Sequence, residues 1–303
     1  MTCSRRSRFC TLVALTLVVS FFAVVAPVQA LKAQEQLQWK LQKGDQFSMK
    51  MKQVVKQKTK AFGQVQEVPI TSTMEMTWKV TDSTSEEFSV EQTIDRFQLE
   101  MQAAGQDLTY DSASDDVNPL LGPVAAAIKP IVGKAFIQRN ARSGEVLETV
   151  LPKELEESGG GAGNLLSGEA LKQMTSQAAL VFPKEGLTRG KEWETTAEVA
   201  NNGITMKLVT KYRYDGTEEV DARPLHKFHT TVETSILKPL PGMEIAIKNQ
   251  DTQGDLYFDA EAGRMVSVKT EQVLEMEIRG QGQVIVQTMN QNVMITVEPK
   301  KSP

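Results

Sequence analysis

The segment Ile70-Thr-Ser-Thr-Met74-Glu-Met76-Thr-Trp78-Lys-Val80 carries the pattern that decides the fold. Its apolar side chains stand only at even-numbered positions, and every odd-numbered position is polar. Because successive side chains of an extended chain point to opposite faces, this alternation predicts a β-strand with one buried face and one face in water. Strands of this kind are typical of antiparallel sheets.

The same alternation recurs along most of the chain and changes parity at one place. Two further sets show it: Ile204, Met206, Leu208, Tyr212 and Tyr214, and Val266, Val268, Leu274, Met276 and Ile278. Between Val90-Ile94 and Phe97-Leu99-Met101 the apolar positions move from even to odd numbers. Within one strand this change requires a bulge near Asp95-Arg96, so we expect a curved sheet.

Two segments predict short helices between the strands. Asn118-Pro119 is typical of a helix start, with an N-cap followed by proline, and Pro130 marks the end of that helix. Ser167 is a second N-cap, for a helix over residues 168–180. Each helix has an apolar side that can pack against a sheet.

Three pairs of motifs recur in the same order along the chain, which indicates an internal duplication. The pairs are Leu41–Phe47 with Leu187–Trp193, Trp78–Phe88 with Tyr212–Phe228, and Asn140–Val146 with Asp259–Met265. In the second pair we place the turn of the later copy at Asp215–Glu219. The predicted fold is mainly β: two similar curved antiparallel sheets, each with a short helix, related by duplication.

The predicted organisation follows from these motifs. Residues 1–30 form a signal peptide, 31–151 the first β-rich repeat and 183–303 the second. Residues 152–182 join the repeats as a Gly-rich linker plus the second helix, because Pro152 to Gly163 has no apolar face and includes Gly159-Gly160-Gly161.

The N-terminal segment predicts export. Arg5, Arg6 and Arg8 precede an apolar run, and Val28 and Ala30 suit a signal peptidase site. A retained membrane anchor is the alternative, and the Arg5-Arg6 pair leaves the twin-arginine route open. Loss of residues 1–30 leaves 31 basic and 38 acidic residues, a net charge of −7, which disfavours nucleic acid as a partner. We expect a secreted or periplasmic protein with no membrane span after cleavage.

Composition excludes several chemistries. The 303 residues are 40% hydrophobic and 24% charged, as in ordinary globular proteins. Cys3 and Cys10 are the only cysteines and precede the apolar run, so the body of the protein has neither a disulfide nor a thiolate site. His226 and His229 are the only histidines, and their spacing on a strand places the two rings on opposite faces.

Clusters of acids offer the remaining site candidates. They are Asp107, Asp111, Asp115 and Asp116 in the first half, and Asp251, Asp255, Asp259 and Glu261 in the second. Neither cluster has the alternating ligands and interior glycine of an EF-hand calcium loop, so we interpret both as turn-forming acids, with a calcium site as the alternative. We assign no catalytic, cofactor-binding or metal-binding residue and expect no cofactor.

Two other features are compatible with binding. Lys50, Lys52, Lys56, Lys58 and Lys60 fall on one face of a predicted strand. This stripe suits an anionic envelope polymer or lipid, or simply a solvated face. The pairs Met49/Met51 and Met74/Met76 have strand spacing and can line an adaptable apolar cavity or an ordinary core.

The chain also resembles a known group of proteins. The opening Leu41–Phe47, the segment Tyr110-Asp111-Ser112 and the hairpin Asp259–Gly263 are similar to a family of exported bacterial proteins of the planctomycete type, catalogued as a domain of unknown function. The resemblance implies a setting in the cell envelope. It carries over no catalytic or binding residue, because the matching motifs are turns and strand starts.

Three functions therefore stay open. The leading prediction is a non-enzymatic binding or structural protein of the cell envelope. A carrier of a lipid or other hydrophobic ligand is the first alternative, and it requires a Met-, Val- and Leu-lined cavity of at least roughly 300 Å³ between sheet and helix. A hydrolase is the second, and it requires two carboxylates about 5 to 10 Å apart in a cleft.

Overall fold

The computed structural model describes residues 36–103, 105–152, 180–201, 203–280 and 282–300, and in them twelve strands and one α-helix. The strands are β1 (Gln46–Ala61), β2 (Gln64–Ser83), β3 (Glu87–Ala103), β4 (Gln106–Asp111), β5 (Ala135–Ala141), β6 (Val146–Val150), β7 (Glu192–Asn201), β8 (Ile204–Val220), β9 (Arg223–Lys238), β10 (Met243–Asp259), β11 (Arg264–Gly280) and β12 (Gln283–Pro299). The predicted signal peptide and most of the predicted linker lie outside the described residues.

All twelve strands belong to one antiparallel sheet. Its order is β6-β5-β3-β2-β1-β12-β11-β10-β9-β8-β7, and β4 pairs with β3 beside this path. The prediction of a mainly β, antiparallel fold is confirmed, whereas the prediction of two separate sheets is wrong. The reason is that β1 pairs with β12 from Phe47 to Pro299 at one end and from Lys60 to Val286 at the other, which joins the two halves edge to edge.

The predicted bulge is confirmed. Glu75 on β2 pairs with Arg96 on β3, but the next residue, Met76, pairs with Ile94. Asp95 is therefore the extra residue, and this is the place where the parity of the apolar positions changes. Each of the three alternating sets named from the sequence lies on the sheet face that contains the core, which we call the inner face.

The sheet is strongly curved. The Trp39 ring lies 6.0 Å from the ring of Phe88 on β3 and 5.5 Å from that of Phe258 on β10. Those two strands are five places apart in the sheet, which in a flat sheet corresponds to roughly 24 Å. One indole reaches both because the sheet bends around it, which makes the inner face concave.

The second turn of the proposed repeat differs from its prediction. Strand β8 continues past Asp215 to Val220, and Gly216 lies at a register shift with φ of +97°. The chain reverses later, at Asp221 and Ala222, whose φ values are +51° and +58°. The Asp-Gly dipeptide thus forms a β-bulge, because its glycine supplies the positive φ that a bulge also uses.

The first predicted helix is present. Asn118 caps it by accepting a 2.9 Å hydrogen bond from the backbone N–H of Leu120, and a 3₁₀ turn (Pro119–Leu121) leads into α1 (Gly122–Ile128). Leu121 and Ile128 are buried in the core. The second predicted helix, over residues 168–180, lies outside the described residues apart from Leu180, which is not helical.

Segments that precede β1 and β7 close one end of the sheet. The backbone N–H of Lys40 donates to the carbonyl of Gly263 in the β10–β11 turn (2.9 Å). The backbone N–H of Phe182 donates in the same way to Ser143 in the β5–β6 turn (2.8 Å). We call this the closed end. The hairpins β1–β2, β7–β8, β9–β10 and β11–β12 lie together at the opposite end, as the pairing of their strands with neighbouring strands shows. Strand β9 pairs directly with β10 only between Gln253/Thr231 and Phe258/His226, away from their hairpin.

Candidate functional site

The inner face of seven neighbouring strands is uncharged. These strands are β1, β2, β8, β9, β10, β11 and β12. Between the levels of Phe47 and Ala61 on β1, and up to Ile236 on β9, their described inner-face residues are apolar, Gly, Ser, Thr or Gln, with the single exception of the buried His226. Among the described residues of this surface we find no Asp, Glu, Lys or Arg.

The outer face of the same strands is charged instead. Ion pairs that include Lys50–Glu75 at 3.1 Å and Lys248–Glu277 at 3.3 Å lie on it. A depression of about 250 Å³ on this face is lined mainly by polar residues, among them Asp251 and Glu271. The sheet therefore separates a charged surface from an uncharged one, strand by strand.

The inner face has two zones. Towards the closed end its side chains are buried around the rings of Phe228 and Phe258, each without measurable exposure. Towards the hairpins the inner-face residues stay half-buried although they are apolar: Met206, Leu208, Met276, Ile278 and Ile285. Apolar side chains that remain partly exposed on a concave surface are typical of ligand-binding sites.

A methionine-lined cavity lies in the buried zone, on the side of the first half. Met49 pairs directly with Met76, and Met51 with Met74, so four thioethers adjoin across β1 and β2. With Met265 they line a cavity of about 60 Å³. Met49, Met74 and Met76 are buried in the core, so both uses that the sequence left open for these methionines occur together. The cavity is smaller than the roughly 300 Å³ expected for a carrier.

Two buried hydrogen-bond donors line the same cavity. The Gln92 side chain donates a 2.8 Å hydrogen bond to the Gln138 carbonyl oxygen. The Nε2 group of Gln138 and the Nε1–H of Trp78 are both buried, and neither has a hydrogen-bond partner among the described residues. An unpaired buried donor costs free energy, which favours a bound acceptor beside it.

Sequence reasoning did not identify these polar residues. The available signal is the presence of Gln92 and Gln138 at inner-face positions, where Val90 and Ile94 show that apolar residues are expected. A glutamine on the buried side of a strand interrupts the alternation of apolar and polar residues, and its amide group needs a hydrogen-bond partner there.

The two histidines lie on opposite faces, as predicted. His226 is buried on the inner side, with its Nδ1 atom 2.7 Å from the Tyr214 hydroxyl. His229 faces outward, and its Nδ1 atom lies 3.0 Å from an Asp255 carboxylate oxygen. Among the described residues no group of three or more His, Cys, Asp or Glu side chains is arranged to hold a metal ion.

Asp255 is the centre of an outer-face charge network. Lys227 lies 3.2 Å from Asp255 and 3.6 Å from Glu218. Burial raises the pKa of the Asp255 carboxyl, but hydrogen bonds from His229 and Lys227 outweigh it and hold that pKa below its usual value. An ionised carboxylate of this kind does not suit the general acid of a glycosidase.

Asp111, from the first acidic cluster, has a structural role. Its carboxylate accepts hydrogen bonds from the Arg96 guanidinium and, at 3.0 Å, from the backbone N–H of Ala113. These bonds hold the pKa of Asp111 well below its ordinary value. The neighbouring Ser112 hydroxyl accepts from the backbone N–H of Phe97 (2.9 Å), so this segment fastens β4 to β3.

The prediction that five lysines lie on one face of β1 is confirmed. Lys50, Lys52, Lys56, Lys58 and Lys60 are all exposed on the outer face of β1. Lys50 pairs with Glu75, whereas the other four form no ion pair within 4 Å with any described residue.

Comparison with known proteins reveals a likeness of fold. No protein-family model and no curated protein matches the chain. A solved structure on lipid–protein interactions in lipovitellin is similar, with a TM-score of 0.50 and 11% identity over 86% of this chain. That match covers 26% of the lipovitellin chain, so the protein spans about a quarter of its length. Within the described residues no helix has the length and apolar character needed to cross a bilayer.

Two other solved structures match with lower TM-scores. A DUF1329 family protein from Desulfovibrio piger is 9% identical, with a TM-score of 0.17 and coverage of 86% of this chain and 88% of that one. An outer membrane channel from Pseudomonas putida is 8% identical, with a TM-score of 0.24 and coverage of 86% and 97%. The lipovitellin match shows a likeness of fold to about a quarter of that chain, and the comparisons leave the family unassigned.

Proposed function

We propose that the protein is a non-enzymatic binding protein that holds a hydrophobic, lipid-like ligand on the inner face of its sheet. The observation that carries this proposal is the concave surface, which has no Asp, Glu, Lys or Arg among its described residues and whose apolar residues towards the hairpins stay half-buried. An elongated apolar ligand suits such a surface, because it would remove the exposed apolar area from water without burying a charge.

The shape of the site defines the kind of ligand. The cavity of about 60 Å³ is far smaller than a whole lipid, so a lipid would place only one end there and lie along the open inner face. The methionines around the cavity suit this use, since flexible thioethers adapt to different apolar chains. The similarity to lipovitellin, whose structure concerns lipid–protein interactions, supports the proposal at the level of the fold.

Fluorescence of cis-parinaric acid tests the proposal. We expect saturable binding to the purified chain, and we expect Met276→Lys to weaken it by at least about tenfold, because a charge on the inner face opposes an apolar ligand. Val273→Lys is the matched control, since both residues are half-buried on β11 and face opposite sides. Equal affinity of the two variants, or no binding by the unsubstituted protein, would contradict the proposal.

Export to the cell envelope and membership of the planctomycete-type family belong to the same proposal. Their support is the sequence alone: the basic and apolar N-terminal segment for export, and the motifs at Leu41–Phe47 and Tyr110–Ser112 for the family. A carrier of hydrophobic molecules has a use in the envelope, where such molecules must pass through water.

We also propose that the two halves arose by duplication. Matching backbone hydrogen bonds support this. In the first half the N–H of Gly44 donates to the carbonyl of Val80 (2.9 Å), and the N–H of Val80 donates to the carbonyl of Asp45 (2.9 Å). In the second half the N–H of Gly190 donates to the carbonyl of Tyr214, and the N–H of Tyr214 donates to the carbonyl of Lys191. The order of strands also fits, since β7 to β12 and then β1, β2, β3, β5 and β6 follow one another in one direction across the sheet, with β4 beside β3.

A further inference from the structure

The polar lining of the methionine-lined cavity identifies the chemical class of the ligand. We propose that Trp78 and Gln138 bind an oxygen acceptor at the end of an acyl chain, the carbonyl of an ester or of a protonated carboxylic acid. This inference rests on the proposed function and deepens it. It concerns which end of the ligand enters the cavity and by which atoms it is held.

The donors are placed for this role by neighbouring strands. Trp78 on β2 pairs directly with Gln92 on β3, and Gln138 on β5 pairs with Val90, one inner-face position away. All of these side chains line the cavity. The Gln92–Gln138 amide pair offers one NH₂ group to the cavity in either of its two hydrogen-bonded orientations, so a donor remains beside Trp78 in both.

The remaining lining determines which acceptor these donors bind. Within the described residues the wall contains Asn140 and the apolar side chains of Met49, Met74 and Ile295, but no cation. An indole N–H and an amide NH₂ donate to a carbonyl oxygen, whereas an ammonium or a carboxylate group would be buried in this wall without a counter-charge. The site therefore suits an ester or a protonated acid in preference to an amine, and an oxygen-bearing chain in preference to a plain hydrocarbon.

Competition of palmitic acid, methyl palmitate, hexadecylamine and hexadecane against bound cis-parinaric acid tests the inference. We expect the acid and the ester to compete at least about tenfold better than the amine and the hydrocarbon, because two buried donors gain partners. In Trp78→Phe, and in the double variant Gln92→Met/Gln138→Met, this preference should fall about fivefold each.

Trp193→Phe is the control for loss of an indole. The Trp193 Nε1–H already donates to the Val181 carbonyl (2.8 Å), so its removal should leave the preference unchanged. Equal competition by all four compounds, or a preference that both Trp78→Phe and the glutamine double variant retain, would overturn the inference while the proposed function stands. Failure of every compound to compete would overturn the proposed function itself.

A separate observation concerns the hairpin end of the sheet. We propose that this end rests on a bilayer surface that contains anionic lipid. The exposed large apolar residues of the chain include five on its hairpins: Phe62 (75% exposed), Val65 (59%), Val284 (51%), Leu237 (49%) and Met243 (38%). Three hairpins supply them, and these hairpins lie at one end because Lys60 pairs with both Val65 and Val286, and Met243 pairs with Gly280.

The backbone at Phe62 strengthens this reading of the surface. Phe62 and Gly63 have φ values of +54° and +72°, a turn whose central positions favour Asn, Asp and Gly. An aromatic residue there adopts an unfavourable backbone conformation and exposes its ring to water. Both features weaken an isolated fold, and both are explained if the ring inserts among lipid headgroups.

Charge identifies the kind of bilayer. Lys56, Lys58 and Lys60 lead to the Phe62 turn and form no ion pair within 4 Å with any described residue, whereas the chain as a whole has a net charge of −4. Basic residues beside exposed apolar ones are typical of surfaces that bind anionic headgroups.

Sedimentation with vesicles of phosphatidylglycerol and phosphatidylcholine tests this inference. We expect binding that falls with salt and is weaker on phosphatidylcholine alone, with a loss of roughly fivefold for each of Lys56→Gln, Lys58→Gln and Lys60→Gln. The double variant Phe62→Ser/Val65→Ser should lose at least about tenfold.

Leu147→Ser/Val150→Ser is the matched control, because those residues are 44% and 50% exposed on β6. The control should bind vesicles as the unsubstituted protein does. No binding to the anionic vesicles, or equal losses in the two double variants, would overturn the inference. Heparin, a soluble anionic polysaccharide, provides one more check. The inference would also be overturned if the protein bound heparin as tightly as it binds the anionic vesicles and if Phe62→Ser/Val65→Ser did not change that binding.

Discussion

The indole Nε1–H of Trp39 donates a 3.2 Å hydrogen bond to the carbonyl oxygen of Leu180, 141 residues further along the chain. Gly144 lies between the two, so close that a Cβ atom there would be 2.0 Å from that oxygen and 2.6 Å from the indole nitrogen. The lead-in segments of both halves and the β5–β6 turn thus meet at one point. This contact closes the end of the sheet opposite the hairpins and fixes its curvature.

Gly144→Ala should therefore be severely destabilising. Its φ of +94° alone costs an alanine about 1–2 kcal/mol, and displacement of Leu180 and Trp39 adds about 2 kcal/mol. Gly44→Ala is the control, since φ is +97° but nothing lies within 4 Å of the added Cβ. Urea unfolding of both variants checks this, and equal losses would show that the close approach contributes nothing.

Arg142→Lys should also weaken the closed end. The Arg142 guanidinium donates to the carbonyls of Trp39 (3.2 Å) and Leu41 (3.0 Å), and to the Ser83 hydroxyl (2.7 Å). Lysine cannot reproduce this fork, so we expect a loss of about 2 kcal/mol in the free energy of unfolding.

Arg139→Lys is the comparison for that experiment. Arg139 pairs with Glu87 (2.8 Å) and Glu148 (3.2 Å) on the surface, and its replacement should cost less than about 1 kcal/mol. A larger loss for Arg139→Lys than for Arg142→Lys would refute the assigned role of Arg142.

Asp111 should make stability depend on acid pH. Its pKa is held below the ordinary value by Arg96 and by the backbone N–H of Ala113, so its contribution is complete above about pH 4 and declines as pH falls towards the lowered pKa. Asp111→Asn should cost about 1 kcal/mol at pH 7. The difference between the two proteins, measured by urea unfolding from pH 7 to pH 2, should shrink in acid, and a constant difference would argue against an ionic contribution.

The strands could be predicted from the sequence because their pattern is local. Alternation placed Ile70 and Val80 on one face, and the parity change located the bulge at Asp95. The union of the halves could not be predicted in this way. It depends on β1 pairing with β12, segments more than 200 residues apart in the sequence, and no local pattern specifies a partner at that distance.

The candidate site was predictable only in part. The strand spacing of Met49/Met51 and of Met74/Met76 predicted that each pair lies on one side of its strand, in a cavity wall or a core, and both pairs line the cavity. The unpaired donors of Trp78 and Gln138 become evident only when β2, β3 and β5 are placed side by side. A hydrogen-bond deficit is a property of three-dimensional packing, whereas the sequence reveals only that a glutamine occupies an inner-face position.

Native mass spectrometry of the protein purified from cells most directly tests whether the inner face holds a hydrophobic ligand. We predict a mass above that of the polypeptide, which decreases to the polypeptide mass on organic extraction, with release of an acyl lipid into the solvent. A bare polypeptide mass that stays unchanged after incubation with palmitic acid would contradict the account.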